Sequence, residues 1–216
     1  NISREMLQDD RTIQKIASSL EKKILSELTR LRQICCDPLL CYEDYKGASA
    51  KLSLCMEMIA DAVESGHKML IFSQFTTMLD RIGKELEKEK ISYYKLTGAT
   101  KKEQRIEMAN DFNENEVPVF LISLRAGGTG LNLVGADMVI HFDPWWNLAA
   151  QNQATDRAHR IGQKRAVTVF KMIAAQSIEE KILALQEKKK DLADQIISDE
   201  GMSEGRFTRE DLLEIL

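Results

Sequence analysis

The chain has 216 residues, of which 44% are hydrophobic and 30% are charged, a composition typical of a globular domain. Its apolar runs are shorter than the roughly 20 residues that a membrane-spanning helix needs, which argues against a membrane protein. The formal net charge of −4 lacks the basic excess that is usual in nucleic-acid-binding proteins. Any DNA binding would therefore depend on basic and amide groups gathered on one face.

The four cysteines are Cys35, Cys36, Cys41 and Cys55. No histidine cluster follows them, so the ligand spacing of a zinc site is absent and we predict no metal site. Free thiols are typical of a reducing compartment. We therefore expect an intracellular protein, in the cytoplasm or nucleoid of a bacterium or in the nucleus of a eukaryote.

Residues 2–36 repeat apolar side chains at spacings of three and four, which predicts a mainly helical segment. Pro38 marks the end of that helix, because a residue that precedes proline is pushed out of the α region. Residues 41–49 show no clean period and are predicted to form a loop. Ser49 is the expected N-cap of the next helix, and Gly66 is its expected stop.

From residue 68 onward, short apolar runs alternate with amphipathic segments. The predicted strands are 68–73, 91–96, 118–123, 137–142 and 167–172. The predicted helices are 75–89, 101–114, 147–160 and 177–197. Short, continuously apolar strands that alternate with helices are typical of a parallel sheet. We therefore predict an α/β fold, in which a parallel sheet forms the middle of three layers and carries helices on both faces.

The end of the chain has a different character. Residues 198–206 are polar and include two glycines, which predicts a linker. Thr208 is the expected N-cap of a final short helix, whose apolar strip is too small to fold alone and should dock elsewhere. The predicted divisions are a helical segment with its loop (1–48), the main lobe (49–197), and the linker with its docking helix (198–216).

In an open parallel sheet, ligands bind beyond the carboxyl ends of the strands. The predicted strands deliver small, hydroxyl-bearing and glycine residues there, namely Ser73, Gln74, Thr97, Gly98, Ser123 and the loop 124–130. Glycines allow close backbone approach, and amide N–H groups and hydroxyls bind phosphate oxygens without reading bases. Taken alone, the glycine run 127–130 is equally compatible with a tight turn, and it lacks the spacing of a dinucleotide-binding loop.

Residues 151–163 read Gln-Asn-Gln-Ala-Thr-Asp-Arg-Ala-His-Arg-Ile-Gly-Gln. If this stretch is helical, Arg157 and Arg160 share one face, because residues three apart are neighbours on a helix. Guanidinium forks match the geometry of phosphate oxygens, and arginine commonly clamps a transferred phosphoryl group. The alternative interpretation is a solvated helix face.

Four segments together carry a family resemblance. In chain order they read LRQICCDP, KMLIFSQF, YYKLTGAT and LISLRAGGTGLNLVGADMVIHFDPWWNLAAQNQATDRAHRIGQ. In this order they resemble the second, C-terminal RecA-like lobe of SWI/SNF-type ATPases, within helicase superfamily two. The resemblance extends from about Leu28 across nearly the whole chain.

The resemblance implies a role for each matching position. Arg157 and Arg160 correspond to two arginine fingers that reach ATP across an interface between two lobes. Gln153 and Asp156 would hold or sense those arginines, and Gly130 would approach the nucleotide. The implied contacts to the DNA backbone are Ser73, Gln74, Thr97, Gly98, Ser123, Leu124, Arg125 and Gly127, with a further strand contact at Trp146.

The sequence has no G-x-x-x-x-G-K-[ST] phosphate loop. The resemblance therefore implies that ATP with Mg²⁺ is bound mainly by a separate N-terminal RecA-like lobe, and that this chain alone is inactive. The absence of an initiator methionine likewise suggests a fragment of a longer protein.

The expected whole is a DNA-dependent ATPase that translocates on double-stranded DNA, with a DNA-bound protein as a further partner. The resemblance leaves two alternatives open. One is a lobe of a strand-separating DNA or RNA helicase, and the other is a non-catalytic module that docks on DNA or protein.

Overall fold

The computed structural model describes residues 2–124, 126 and 130–196. Arg125 and residues 127–129 lie outside the described residues, as do the predicted linker 198–206 and the predicted helix 208–216. Within the described part of the chain, every helix is too short or too polar to span a lipid bilayer.

The described residues form helices and strands that alternate as predicted. In chain order they are α1 (Ile2–Cys36), a 3₁₀ turn (Pro38–Leu40), α2 (Ala50–Glu64), β1 (Met69–Ser73), α3 (Thr76–Lys88), β2 (Tyr93–Leu96), α4 (Lys102–Glu114), β3 (Val119–Ser123), β4 (Met138–His141), α5 (Leu148–Thr155), β5 (Thr168–Lys171) and α6 (Ile178–Ile196).

The strands form one parallel sheet in the order β2-β3-β1-β4-β5. In its register, Ser73 lies opposite Ser123, and Phe72 lies opposite His141. Because every pair is parallel, the carboxyl ends of all five strands lie at the same edge of the sheet. This arrangement confirms the predicted parallel α/β sheet.

Alternate residues of β1 enter two different cores, because successive side chains of a strand point to opposite faces. Met69 and Ile71 pack in one cluster with residues of α2 and α3. Leu70 and Phe72 pack in a second cluster with residues of α4 and α5. Burying each such side chain contributes about 1.5–3 kcal/mol. Helices thus cover both faces of the sheet centre, which confirms the three predicted layers.

Strand β5 departs from the prediction that the strands are covered on both faces. All four of its residues are exposed, including Val169 at 40% and Phe170 at 37%. Helix α6, which follows β5, packs against α1 through Leu185 and Leu28. Because α6 contributes its apolar residues to that contact, β5 remains an exposed edge among the described residues.

Local signals placed the second helix correctly. The Ser49 hydroxyl accepts a hydrogen bond from the Leu52 amide at 3.2 Å, which confirms the predicted N-cap. Gly66 follows the helix with a φ of +71°, a left-handed conformation that glycine adopts at little cost. The first helix ends at Cys36, two residues before Pro38, as predicted.

The predicted helix 147–160 is wrong at its end, because α5 stops at Thr155. Beyond it, the Arg157 carbonyl accepts a hydrogen bond from the Leu133 amide at 3.0 Å, and the Ala158 carbonyl accepts one from the Gln163 side chain at 3.1 Å. After Thr155 the segment is thus bonded to the loop before β4 through Arg157, and to Gln163 through Ala158. Arg157 and Arg160 therefore lie in a turn segment and do not share a helix face.

Candidate functional site

The sheet brings most of the predicted contact residues to its carboxyl edge. Gly98 is exposed there, and four of the residues are half-buried: Gln74, Thr97, Leu124 and Trp146. Ser73 and Ser123 are 0% and 1% exposed. Their hydroxyls therefore do not face solvent in this structure.

The Ser73 side chain holds the neighbouring strand end. Its hydroxyl donates to Asp143 Oδ1 at 2.5 Å and accepts from the Phe75 amide at 3.1 Å. Asp143 is fully buried, and burial raises the pKa of its carboxyl group. The bond joins the last residue of β1 to the loop after β4, so Ser73 has a defined structural role in shaping the edge.

Arg105 of α4 fastens two further loops together. Its guanidinium donates to the carbonyl oxygens of Thr100 at 2.8 Å, Gly98 at 3.2 Å and Ala126 at 3.2 Å. The first two carbonyls belong to the loop after β2, and the third belongs to the loop after β3. Sequence reasoning missed this residue, since one arginine on an amphipathic helix gives no signal of what it binds.

Arg160 lies exposed at the glycine-bearing loop after β3. Its Nη1 donates to the carbonyl oxygen of Gly130 at 3.0 Å. A Cβ atom at Gly130 would lie 3.7 Å from Arg160 Nη2, in ordinary van der Waals contact. The guanidinium of this exposed side chain is thus held at the sheet edge.

Arg157 is placed differently from the expectation of two outward-facing cations. It is only 2% exposed, and its Nε and Nη1 atoms have no hydrogen-bond partner among the described residues. Burial, and to a lesser extent the charge of Arg160, lowers its pKa to about 10. Burying a guanidinium without a hydrogen-bonding partner costs folding free energy. Among the described residues, Arg157 has no such partner.

Gln153 and Asp156 are both exposed on the same segment. No hydrogen bond links either side chain to Arg157 or Arg160 among the described residues. Their predicted role in holding or sensing the arginines therefore stays a prediction.

Gln163 fixes the arginine-bearing segment to the lobe, a role that sequence reasoning did not assign. Its Nε2 lies 2.7 Å from the Ala136 carbonyl oxygen, 3.1 Å from that of Ala158 and 3.2 Å from that of Val134. Its Oε1 accepts from the Arg165 amide at 2.9 Å. One side chain thus ties the turn after Arg157 to the loop that precedes β4.

Replacing Gln163 with alanine should destabilise the lobe by about 1–3 kcal/mol, because partly buried carbonyls lose their donor. Urea unfolding of the wild-type and variant proteins measures the change. Gln153→Ala is the matched control: Gln153 is exposed, and its removal should alter stability by no more than about 0.5 kcal/mol. Equal stability of the two variants would contradict the conclusion that Gln163 fixes this segment to the lobe.

A parallel sheet between two helical layers carries a glycine-bearing loop and an arginine-bearing segment at its carboxyl edge. These features define a RecA-like lobe of the helicase type.

Comparisons with known proteins agree with this class. Residues 50–162 match the family described as the helicase conserved C-terminal domain. The chain belongs to that family and is a second RecA-like lobe of the SWI/SNF type. It is similar to the SWI2/SNF2 ATPase core domain of Sulfolobus solfataricus, with 35% identity and a TM-score of 0.69, over 89% of this chain and 40% of that one.

Two relatives illustrate the range of similarity. An uncharacterized ATP-dependent helicase of Mycoplasma pneumoniae is 36% identical over 213 residues, which cover 95% of this chain and 20% of the relative. The human chromatin-remodeling ATPase INO80 is 41% identical over 151 residues, which cover 69% of this chain and 10% of the relative. The chain thus spans a fifth or less of the length of these relatives.

Proposed function

We propose that this chain is the C-terminal motor lobe of an ATP-dependent translocase or remodeller acting on double-stranded DNA. In this proposal ATP, with Mg²⁺, is bound mainly by an N-terminal RecA-like lobe. The present lobe supplies Arg157, Arg160 and contacts to the DNA backbone.

The observation that carries the proposal is the pair of arginines beside the loop after β3. Arg160 is exposed and bonded to the Gly130 carbonyl oxygen, and Arg157 lies buried nearby without a counter-charge among the described residues. A negatively charged phosphate would complement both groups, and guanidinium forks bind phosphate oxygens in a bidentate manner. The sequence contains no phosphate loop of its own. The pair therefore fits a nucleotide presented by another lobe.

The proposed DNA contacts are suited to a phosphate backbone rather than to base edges. Thr97, Gly98, Leu124 and Gln74 lie at the sheet edge. The amides of Gln74 and Thr97 already donate to Asp143 and Thr100, so the proposed contacts are the Thr97 hydroxyl, the Gln74 side chain and the amides of Gly98 and Leu124. Such groups position a duplex without reading its sequence. Arg125 and Gly127 belong to the same proposal, although they lie outside the described residues.

ATP and DNA would thus bridge two lobes. Closure of the cleft would bring Arg157 and Arg160 toward the terminal phosphate, where their charge stabilises the negative charge of the transition state. Reopening after hydrolysis would move one lobe along the DNA backbone. Gln153 and Asp156 would hold or sense the two arginines, and Trp146 would contact a DNA strand.

The test uses the intact protein that joins this lobe to its ATP-binding lobe. ATP turnover is measured with duplex DNA, single-stranded DNA and RNA, and movement on duplex DNA is measured by displacement of a triplex-forming strand. The proposal expects stimulation by duplex DNA and displacement of the third strand without separation of the duplex. Stimulation by single strands together with duplex separation would favour a strand-separating helicase, and no ATP turnover would favour a docking module.

A further inference from the structure

One arginine of helix α1 contacts the carboxyl edge of the sheet, which is the proposed nucleic-acid-binding surface. Arg32 of α1 is 1% exposed. Its Nη1 donates to Gln74 Oε1 at 2.9 Å, and its Nη2 donates to the Pro144 carbonyl oxygen. The same guanidinium lies 4.2 Å from the centre of the Trp146 ring and 3.6 Å from Asp143 Oδ2. One side chain therefore contacts both the loop after β1 and the loop after β4.

The Trp146 loop is also held by α6. Gln186 Nε2 donates to the Trp145 carbonyl oxygen. The Trp146 side chain packs with Leu28 of α1 and Leu185 of α6 in a small apolar cluster. Since α1 and α6 both lie outside the sheet, the conformation of this loop depends on helices at the two ends of the described chain.

The surroundings of Arg32 make its contacts sensitive to small changes. Arg32 and Asp143 are both almost completely buried, and burial is the largest influence on each, lowering the pKa of the arginine and raising that of the aspartate. Hydrogen bonds to a charged group in such an environment are stronger than those in water. The planar guanidinium supplies several donors in a fixed geometry, whereas a lysine ammonium is a single compact charge.

We propose that Arg32 is a positioning residue for nucleic-acid binding: by bonding the Gln74 side chain and the Pro144 carbonyl, it holds the loops after β1 and β4 in the geometry that contacts DNA. The inference rests on the proposed function and adds a route by which α1 influences the DNA-binding edge. A displacement of α1 would move Arg32, and both loops would lose their common support. Arg32 itself is buried and makes no contact with DNA.

The test compares Arg32→Lys with the wild-type intact protein, by fluorescence anisotropy with a labelled duplex and by ATP turnover as duplex is titrated. We expect the DNA concentration for half-saturation to rise about tenfold, which corresponds to about 1.4 kcal/mol. Turnover at saturating DNA should remain within about threefold of wild type. A residue that only maintains the fold would instead lower the active fraction, and would leave half-saturation unchanged.

Arg81→Lys is the matched control. Arg81 Nε lies 3.1 Å from Asp37 Oδ2, so Arg81 also anchors the end of α1 to a neighbouring helix. None of its described contacts involves the loop after β1 or the loop after β4. Half-saturation should be unchanged in this variant. An equal shift in both variants, or no shift in Arg32→Lys, would overturn the inference.

A second variant covers the case in which Arg32→Lys does not fold. Arg32→Met combined with Asp143→Asn removes both buried charges, so that neither is left unpaired. The same rise in half-saturating DNA is expected, and normal DNA binding by this folded double variant would overturn the inference. Wild-type protein that binds no DNA would overturn the proposed function and this inference together, whereas normal wild-type binding with unaltered variants would overturn the inference alone.

Discussion

Replacing Arg160 with alanine, in a protein that joins this lobe to its ATP-binding lobe, is expected to lower DNA-stimulated ATP turnover by about 10³–10⁵-fold. The reason is electrostatic: charge that spreads over the phosphoryl oxygens in the transition state would lose a preorganised cation. Because Arg160 is exposed and its one described side-chain hydrogen bond is to Gly130, the fold should be little affected. Steady-state ATP turnover with saturating duplex DNA measures the effect.

Arg165→Ala provides the comparison for that experiment. Arg165 lies five residues further along the same segment, and it binds Asp137 Oδ2 at 3.0 Å, at the opposite end of β4 from the site. Removing this exposed arginine should leave turnover within about threefold of wild type. Near wild-type turnover in Arg160→Ala would rule out Arg160 as an arginine finger. An equal loss of turnover in both variants would mean that any loss of positive charge from this segment has the same effect.

The second large effect is expected at Arg157, where stability and activity should change in opposite directions. Replacing Arg157 with methionine should lower ATP turnover by about 10³-fold or more, while the lobe becomes more stable by about 1–3 kcal/mol. Methionine keeps much of the side-chain volume and so avoids the cavity that alanine would leave. Thermal unfolding and ATP turnover are measured on the same preparation.

The stabilisation follows from the state of the guanidinium in the folded lobe. Its pKa falls from 12.5 to about 10 because burial disfavours the charged form. At neutral pH the group is charged in both the folded and unfolded states, so the full cost of the shift, about 3 kcal/mol, opposes folding. Removing the charge removes that cost. A buried charge that opposes folding is typical of a functional site.

Two results would contradict this account of Arg157. A variant that is less stable than wild type and keeps its turnover would show that the arginine serves the fold. Loss of both stability and activity would also contradict it, because the activity loss could then follow from unfolding. For a nucleotide-facing arginine, the variant should have a higher unfolding temperature and only a small fraction of the wild-type ATP turnover.

The sequence alone determined the order of the elements and the class of the fold. Short, continuously apolar runs such as 68–73 and 118–123 favour buried strands when they alternate with helical segments. The Ser49 cap and the Gly66 stop act through neighbours only a few residues away. Motif spacing likewise indicated the edge of the sheet at which the site lies.

What only the tertiary structure decided concerns groups whose partners are distant in the chain. Arg32 meets Gln74 across 42 positions and Pro144 across 112, and no local pattern specifies either contact. Beyond the end of α5, the Arg157 carbonyl accepts a hydrogen bond from the Leu133 amide, a partner that the local sequence does not specify. The burial of Arg157 likewise depends on the tertiary structure, because the exposure of a side chain is set by the residues that pack around it. The motif gives only the position of Arg157 along the chain.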